Sequence, residues 1–413
     1  MKQSSEQTRL GLRQPAQTMN ILMISDVFFP RINGVSTSIE TFRNSLKAHG
    51  IHSSLIAPAY PQDGGRSTDD LIRIPSRFIP LDPEDRMMRR SAIREQIESL
   101  KQQHFDLVHI HTPFVAHYAG LELAKALDLP CVGTYHTFFE EYLFHYVPFL
   151  PRAWLRGAAR RFSRQQCNGL DAVIVPSRAM ADTLAGYGVN APVHILPTGI
   201  PEHQFHGGDG CHFRQRYDIP KSRRLLLFVG RVAHEKNIDF LIDMVGELRK
   251  TEPAAMLLVT GEGPALGNLR TKVERAGLSE HIRFLGYLDR HNELHDCYRA
   301  ADVFVFASRT ETQGLVLLEA MALGTPVVAL AEMGTVDILA PQQGCRIAPN
   351  NPARFAEVVG QLLSDCRQLQ QLGVDAREYA QQWHTEEMSR RLGALYETWV
   401  ADHQRQAAQL SAA

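Results

Sequence analysis

Phe304–Val328 reads FVFASRTETQGLVLLEAMALGTPVV, and its pattern is strand, turn, helix, turn, strand. The apolar run FVFA suits a short buried strand, and polar Ser308–Thr312 suits a turn. Gly314 opens a helix carrying Leu315, Leu317, Leu318, Ala320, Met321 and Ala322. Gly324-Thr325-Pro326 closes it before the strand Val327–Leu330. A helix starting near Gly314 points its unpaired N–H groups beyond the preceding strand, where they favour an anion. Two carboxylates flank that point: Glu311 before the helix and Glu319 within it, with seven residues between them. At about 1.5 Å of rise per residue they stand roughly 8–12 Å apart, which suits two parts of one elongated ligand. A glycosidase pair acting on one bond stands about 5–9.5 Å apart, so hydrolysis fits less well. Glu319 lies in an almost wholly apolar helix, where a carboxylate needs a partner.

The chain has 413 residues, enough for two ordinary domains. Its net charge of −1 exerts no global pull on nucleic acid or anionic lipid, so any such attraction is local. Six cysteines show no CxxC spacing and read as free thiols in a reducing compartment, the cytoplasm. No run of about 18 apolar residues is present to span a membrane. Residues 1–18 lack the apolar centre of a signal peptide. They are expected to be a disordered leader, with Met19 as an alternative start.

The first half opens as a βαβ unit: strand Asn20–Ser25, loop Asp26–Gly34, helix from about Ser36 to His49, strand His52–Ala57. The loop is not GxGxxG, which disfavours nicotinamide binding. Its Gly34 permits close backbone approach. Residues 63–90, with Pro75, Pro80 and Pro83, are expected to be irregular, and a helix is expected from there to about Gln103. Strands follow at Leu107–His111 and Cys131–Tyr135, and the second delivers His136 to its C-terminal end, the ligand-binding end of an open α/β sheet. The glycine cluster Gly207-Gly208-Asp209-Gly210 suggests a linker at 199–208 between domains at 19–198 and 209–382. The second domain opens with strand Arg224–Gly230 and then Arg231 and Lys236, two cations able to clamp a diphosphate and stabilise its departure. Strand Met256–Thr260 ends in the glycine loop Gly261-Glu262-Gly263-Pro264. Leu392, Leu395, Tyr396 and Trp399 give the last segment, 383–413, an apolar helical face.

Residues 140–166 combine Tyr142, Phe144, Tyr146, Phe149 and Trp154 with five arginines, and no acid occurs from Tyr142 to Gln166. Arg152, Arg156, Arg160 and Arg164 repeat every four residues and form one helical stripe. A basic and aromatic amphipathic helix suits an anionic membrane surface. A solvated helix face and a docking site for a charged acceptor are the alternatives.

Glu311-x7-Glu319, with Gly314 and Gly324-Thr325-Pro326-Val327-Val328 around it and the Arg231…Glu235-Lys236-Asn237 block upstream, resembles the signature of glycosyltransferase family 4, retaining enzymes of the GT-B fold. The resemblance covers about residues 19–400. It implies an α/β architecture of two Rossmann-like domains facing a cleft, with the C-terminal helix crossing back to the first. It also implies that Arg231 and Lys236 bind the phosphates of a nucleotide sugar and that Glu311 and His136 contact the sugar. By the same resemblance Glu319 contacts the ribose, and Gly34, Gly261, Gly263 and the amides at Gly314 and Leu315 border the donor. Within the family, His111-Thr112-Pro113-Phe114, Thr134-Tyr135-His136-Thr137 and Thr310-Glu311-Thr312-Gln313-Gly314 are similar to glycolipid synthases that add a hexose to diacylglycerol. Gln313 departs from the phenylalanine common in the wider family. The expectation is therefore a metal-independent hexosyltransferase without a cofactor, since the nucleotide sugar is a co-substrate. UDP-glucose is the favoured donor, and the protein is expected at the inner face of the cytoplasmic membrane with no nucleic-acid partner. Tyr142, Trp154, Arg152, Arg156 and Arg160 are the candidate membrane or acceptor contacts. Alternatives are mannosyl or other hexosyl transfer in polysaccharide or lipopolysaccharide assembly, a same-fold epimerase, and an inactive sugar-nucleotide-binding protein.

Overall fold

The computed structural model describes residues 18–61, 67–79, 82–136, 152–289 and 292–412. Residues 1–17 of the expected leader, and Tyr142 with its aromatic neighbours at 144, 146 and 149, lie outside these.

Two parallel sheets organise the chain. The first has the order β3-β2-β1-β6-β7-β8-β9, formed by β1 (Met19–Ile24), β2 (Ile51–Pro58), β3 (Leu71–Ile74), β6 (Leu107–Ile110), β7 (Cys131–Thr134), β8 (Ala172–Val175) and β9 (Val193–Ile195). The second has the order β12-β11-β10-β13-β14-β15, formed by β10 (Arg224–Val229), β11 (Ala255–Thr260), β12 (Ile282–Gly286), β13 (Val303–Phe306), β14 (Val327–Ala329) and β15 (Cys345–Ile347). All pairings within both sheets are parallel. The central strands are continuous apolar runs because helices cover both faces of such sheets. In β1, Ile21 pairs with Ser53 on one side and Leu107 on the other, and Ile21–Ile24 are fully buried. Strand order reverses between β1 and β6 and again between β10 and β13. Ligands bind outside the carboxyl ends of strands at such points.

Residues 63–90 are more ordered than expected. β3 extends the first sheet, and β4 (Ser76–Ile79) pairs antiparallel with β5 (Asp82–Met88) in a separate hairpin. β3 and β4 are four residues each, too short for an alternation to be read; Pro75 falls between them, and Pro83 is the second residue of β5. The helix expected from there to Gln103 is instead two short helices, Arg90–Arg94 and Ile97–Lys101.

Helix α1 (Gly34–Leu46) begins where the side chain of Asn33 accepts the Ser36 N–H at 2.8 Å. Ile39, Phe42 and Leu46 form its buried face. Helix α2 (Val115–Leu127) follows β6, and α3 (Arg152–Cys167) precedes β8. The organising stretch folds as read: β13, turn, helix α4 (Leu315–Ala322), turn, β14. The last helix, α5 (Thr385–Ala412), returns to the first half, where Met388, Leu392, Tyr396 and Trp399 join the core of Ile21, Met23, Ile39 and Phe42. Burial of Met388 and of Leu392 contributes roughly 1.5–3 kcal/mol each. The two crossings between halves run side by side: Ile200 N–H donates to the Trp383 carbonyl at 2.7 Å, and Thr385 N–H to the Ile200 carbonyl at 3.0 Å. A side chain at Gly199 would meet the Thr385 backbone at 2.5 Å, so glycine permits this approach.

Candidate active site

The cleft between the halves has a volume of about 1050 Å³, and the C-terminal strand ends of both sheets open into it. From the second half come Gly230, Arg231 and Lys236 after β10, Gly261 after β11, and Glu311, Gly314, Leu315 and Glu319 around α4. From the first half come Gly34, His111 and His136. The structure thus brings most of the sequence-derived candidates to one place.

Hydrogen bonds between loops fix the second-half constellation. Asn237, at φ 55°, ends the Arg231–Lys236 turn, and its side-chain amide donates to the Ala307 carbonyl at 3.1 Å. The Ser308 hydroxyl donates to the Glu235 carbonyl at 3.2 Å. These bonds bring the Lys236 ammonium onto the Glu311 carboxylate, with which it forms a partly buried ion pair. Arg231 lies 4.0 Å from Glu235. Gly261 nests against the neighbouring strand end, where a side chain would meet the Gly230 carbonyl at 2.0 Å. Gly263 packs instead on Val232, 2.4 Å from the Val232 carbonyl by the same measure, and does not line the cleft.

Gly314 has φ +95° and stands at the N-terminus of α4. The left-handed backbone favours glycine and presents the free amides of the eight-residue helix to the cleft. Glu319, only 7% exposed, accepts the Tyr298 hydroxyl at 3.0 Å. Tyr298 is the partner that a carboxylate in this apolar helix requires.

In the first half, His109, His111 and His136 stack at the ends of β6 and β7, with ring centroids 4.0 Å and 5.6 Å apart. His111 Nδ1 and His136 Nε2 are 3.3 Å apart, and His109 bonds Tyr396 of α5 at 2.6 Å and Thr134 at 2.7 Å. Burial pushes His136 down to about 4; burial, then repulsion from His136, pushes His109 to about 3. The rings are therefore neutral at pH 7 and act through directed hydrogen bonds rather than charge. The Thr312 hydroxyl donates to the His136 carbonyl at 3.0 Å, which joins the halves across the cleft.

Asp26 is a site residue that sequence reasoning missed. Its carboxylate accepts the Thr112 hydroxyl at 2.9 Å and the N–H groups of Phe114 and Ala116 at 3.1 Å and 3.0 Å, where α2 begins. Burial outweighs these bonds and raises it to about 6. An acid directly after the buried run ILMIS, at a central strand end, was the available signal.

The first-half wall of the cleft is largely apolar: Val27, Ile32, Met87, Phe114, Val115 and Phe162. Ile32, Met87 and Phe114 are 41%, 48% and 50% exposed. Helix α3 borders this wall. Leu155, Ala159 and Ser163 are its buried stripe, Ala158 and Phe162 face the cleft, and Trp154 is 78% exposed. Arg156 and Arg160 lie on the outward side, but the Arg160 guanidinium sits over the Tyr187 ring at 5.6 Å, so the expected outward stripe is partly turned onto the protein. The Arg152 side chain is outside the described residues. No group of three or more metal-ligating side chains occurs among the described residues.

Two doubly wound halves facing a cleft, with cations and two carboxylates on one side, form a site suited to an elongated ligand with an anionic part. Residues 32–204 match the family described as Glycosyltransferase Family 4, and residues 212–383 match Glycosyl transferases group 1. An alpha-monoglucosyldiacylglycerol synthase of Streptococcus pneumoniae is 32% identical over 325 residues, covering 75% of this chain and 71% of that one. A synthase of the same name from Acholeplasma laidlawii is 28% identical, covering 75% and 80%. A GDP-mannose-dependent alpha-mannosyltransferase of Corynebacterium glutamicum is 26% identical, covering 78% and 74%. Among solved structures, sucrose-phosphate synthase of Thermosynechococcus elongatus superposes with a TM-score of 0.75 at 22% identity, over 93% of this chain and 100% of that one. Anabaena HepE in complex with UDP and glucose gives 0.75 at 16% identity, over 92% and 100%; these two likenesses bear on the fold. The chain belongs to glycosyltransferase family 4 and is a retaining hexosyltransferase of the GT-B fold.

Proposed function

We propose that the protein transfers a hexose from a nucleotide sugar, with UDP-glucose the favoured donor, to a lipid hydroxyl such as that of diacylglycerol at a membrane surface. The observation that carries this reading is the apolar first-half wall: Ile32, Met87, Phe114 and Phe162 offer a lipid tail a continuous apolar surface. The similarity to two alpha-monoglucosyldiacylglycerol synthases supports the same reading. No helix among the described residues is long and apolar enough to cross a membrane. Exposed Trp154, with Arg152, Arg156 and Arg160 on the same helix, would hold the cleft mouth against an anionic inner leaflet.

In this mechanism Arg231 and Lys236 bind the donor diphosphate and stabilise it as it leaves. Glu319 holds the ribose, Glu311 and neutral His136 hold the sugar, and the amides at Gly314 and Leu315 face the phosphate. The acceptor oxygen bonds to the anomeric carbon on the face from which the phosphate oxygen departs, so configuration is retained. The acceptor proton passes to that departing phosphate oxygen. Lys236 and the α4 amides supply the positive charge, so no metal is required.

Phe114→Ser with Met87→Ser tests the acceptor wall. Acceptor KM should rise at least tenfold while donor KM stays within twofold. An unchanged acceptor KM overturns the assignment. Co-sedimentation with anionic but not neutral liposomes is expected, and equal or absent binding to both removes the membrane contact.

A further inference from the structure

Gln313 lies between Glu311, which pairs with Lys236, and Gly314, where α4 begins. It lines the cleft with them, and its side chain reaches the crossing between halves. Its amide oxygen accepts the Thr198 N–H at 2.9 Å, and its amide nitrogen donates to the Thr198 carbonyl at 2.7 Å. Reversing the amide would set donor against donor and acceptor against acceptor, so the two bonds fix its orientation. Gln313 is 6% exposed and Thr198 5%. The Thr198 hydroxyl in turn bonds the Ser38 hydroxyl at 2.7 Å on α1, the helix that begins at Gly34. The other side of the loop is also held: Gly334 N–H donates to the Glu311 carbonyl at 2.8 Å, and a side chain at Gly334 would meet the Thr312 carbonyl at 2.0 Å.

We infer that Gln313 is a positioning residue that ties the Glu311–Gly314 loop to the interdomain crossing and, through Thr198 and Ser38, to α1. An apolar side chain here would fill the space and make neither bond. Separation of the halves would break both bonds and replace them with bonds to water, which modestly favours the closed arrangement. The placement of the second-half donor loop is thereby linked to that of the first-half loop at Gly34. The inference rests on the transfer reaction of the family and not on the lipid acceptor.

The test is amide hydrogen exchange on the full-length chain and on Gln313→Leu and Gln313→Glu, with thermal melts alongside. Gln313→Leu should speed exchange at least tenfold at Thr198 and along residues 34–42. Amides of the second-half strand at 225–228 should stay within twofold of the parent, and the melting temperature should fall by only a few degrees. Gln313→Glu keeps the acceptor for the Thr198 N–H but sets a carboxylate against the Thr198 carbonyl. When protonated it donates to that carbonyl, so exchange in α1, corrected for intrinsic rates, should return toward the parent value as pH falls. Exchange in α1 within twofold of the parent in Gln313→Leu overturns the inference. So does an equal rise at 225–228, which marks general loosening, or a pH-independent Gln313→Glu. In transfer assays Gln313→Leu should lose at least tenfold in kcat with donor KM within threefold. A parent protein inactive toward diacylglycerol counts against the lipid reading and leaves the exchange result to decide this one.

Discussion

Replacing Lys236 with methionine leaves Glu311 without its cation. The two side chains are 21% and 18% exposed. Exposed ion pairs contribute about 0.2–1 kcal/mol, and breaking a buried pair costs about 3–5 kcal/mol. Discounted for solvent, loss of Lys236 should cost on the order of 1–2 kcal/mol of stability. At about 2–4 °C per kcal/mol for a half of this size, the melting temperature should drop by roughly 2–8 °C. Adding Glu311→Gln removes the stranded charge, so the double variant should recover most of that loss. Activity should behave oppositely. A cation aimed at charge developing on a leaving phosphate is worth about 10²–10³ in rate, so kcat/KM for the donor should fall by that factor in Lys236→Met and further in the double variant. Melts and donor kinetics on the parent, both single variants and the double variant check this. Activity that recovers along with stability in the double variant would refute the reasoning, because Lys236 would then act only as a structural counter-ion.

Other expectations follow from the same geometry. Burial depresses His136 from 6.5 to about 4, so it is neutral in the fold and takes up a proton on unfolding below pH 6.5. Stability should fall as pH drops through this window, by about 2 kcal/mol at pH 5 from this group alone, and urea melts of His136→Gln should show a flatter pH profile. Asp26 acts in the opposite sense: raised to about 6, it holds a proton in the fold that the unfolded chain has lost, so its contribution is greatest below pH 4 and declines toward pH 6. Asp26→Asn should remove that decline in the same melts. Tyr298→Phe removes the hydroxyl that donates to buried Glu319. Calorimetry should show UDP binding weakened by about tenfold, in line with loss of a bond to a charged group. Chelation with EDTA should leave transfer within twofold, and recovery of lost activity by magnesium or manganese would overturn metal independence.

The second half was the more legible from sequence. Its central strands are uninterrupted apolar runs, and Gly314, Gly324 and Pro326 punctuate α4, so local pattern and tertiary structure agree. Lys236 and Glu311 stood out because charges at strand ends are conspicuous against such runs. Residues 63–90 were not legible, because the four-residue strands β3 and β4 carry too little periodicity and one of the three prolines, Pro83, lies inside β5. Tyr298, the hydrogen bonds of Asp26 and the stacking of His109 and His111 with His136 were not legible for a different reason. Each matters through a partner distant in sequence: Thr112 for Asp26, Glu319 for Tyr298, and Tyr396 for His109. The Gln313 amide likewise meets a backbone 115 positions away. Sequence marked Gln313 as unusual without showing what it holds.

Retaining transfer of a hexose to a lipid leaves a product whose linkage can be read. Its most direct measurement is the product formed from a panel of UDP- and GDP-sugars with diacylglycerol in anionic liposomes, with the anomeric configuration read by NMR. An α-linked glycolipid from an α-linked donor is expected, with formation collapsing in Lys236→Ala and Glu311→Ala. A β-linked product, or donor consumed only to free sugar, would contradict it.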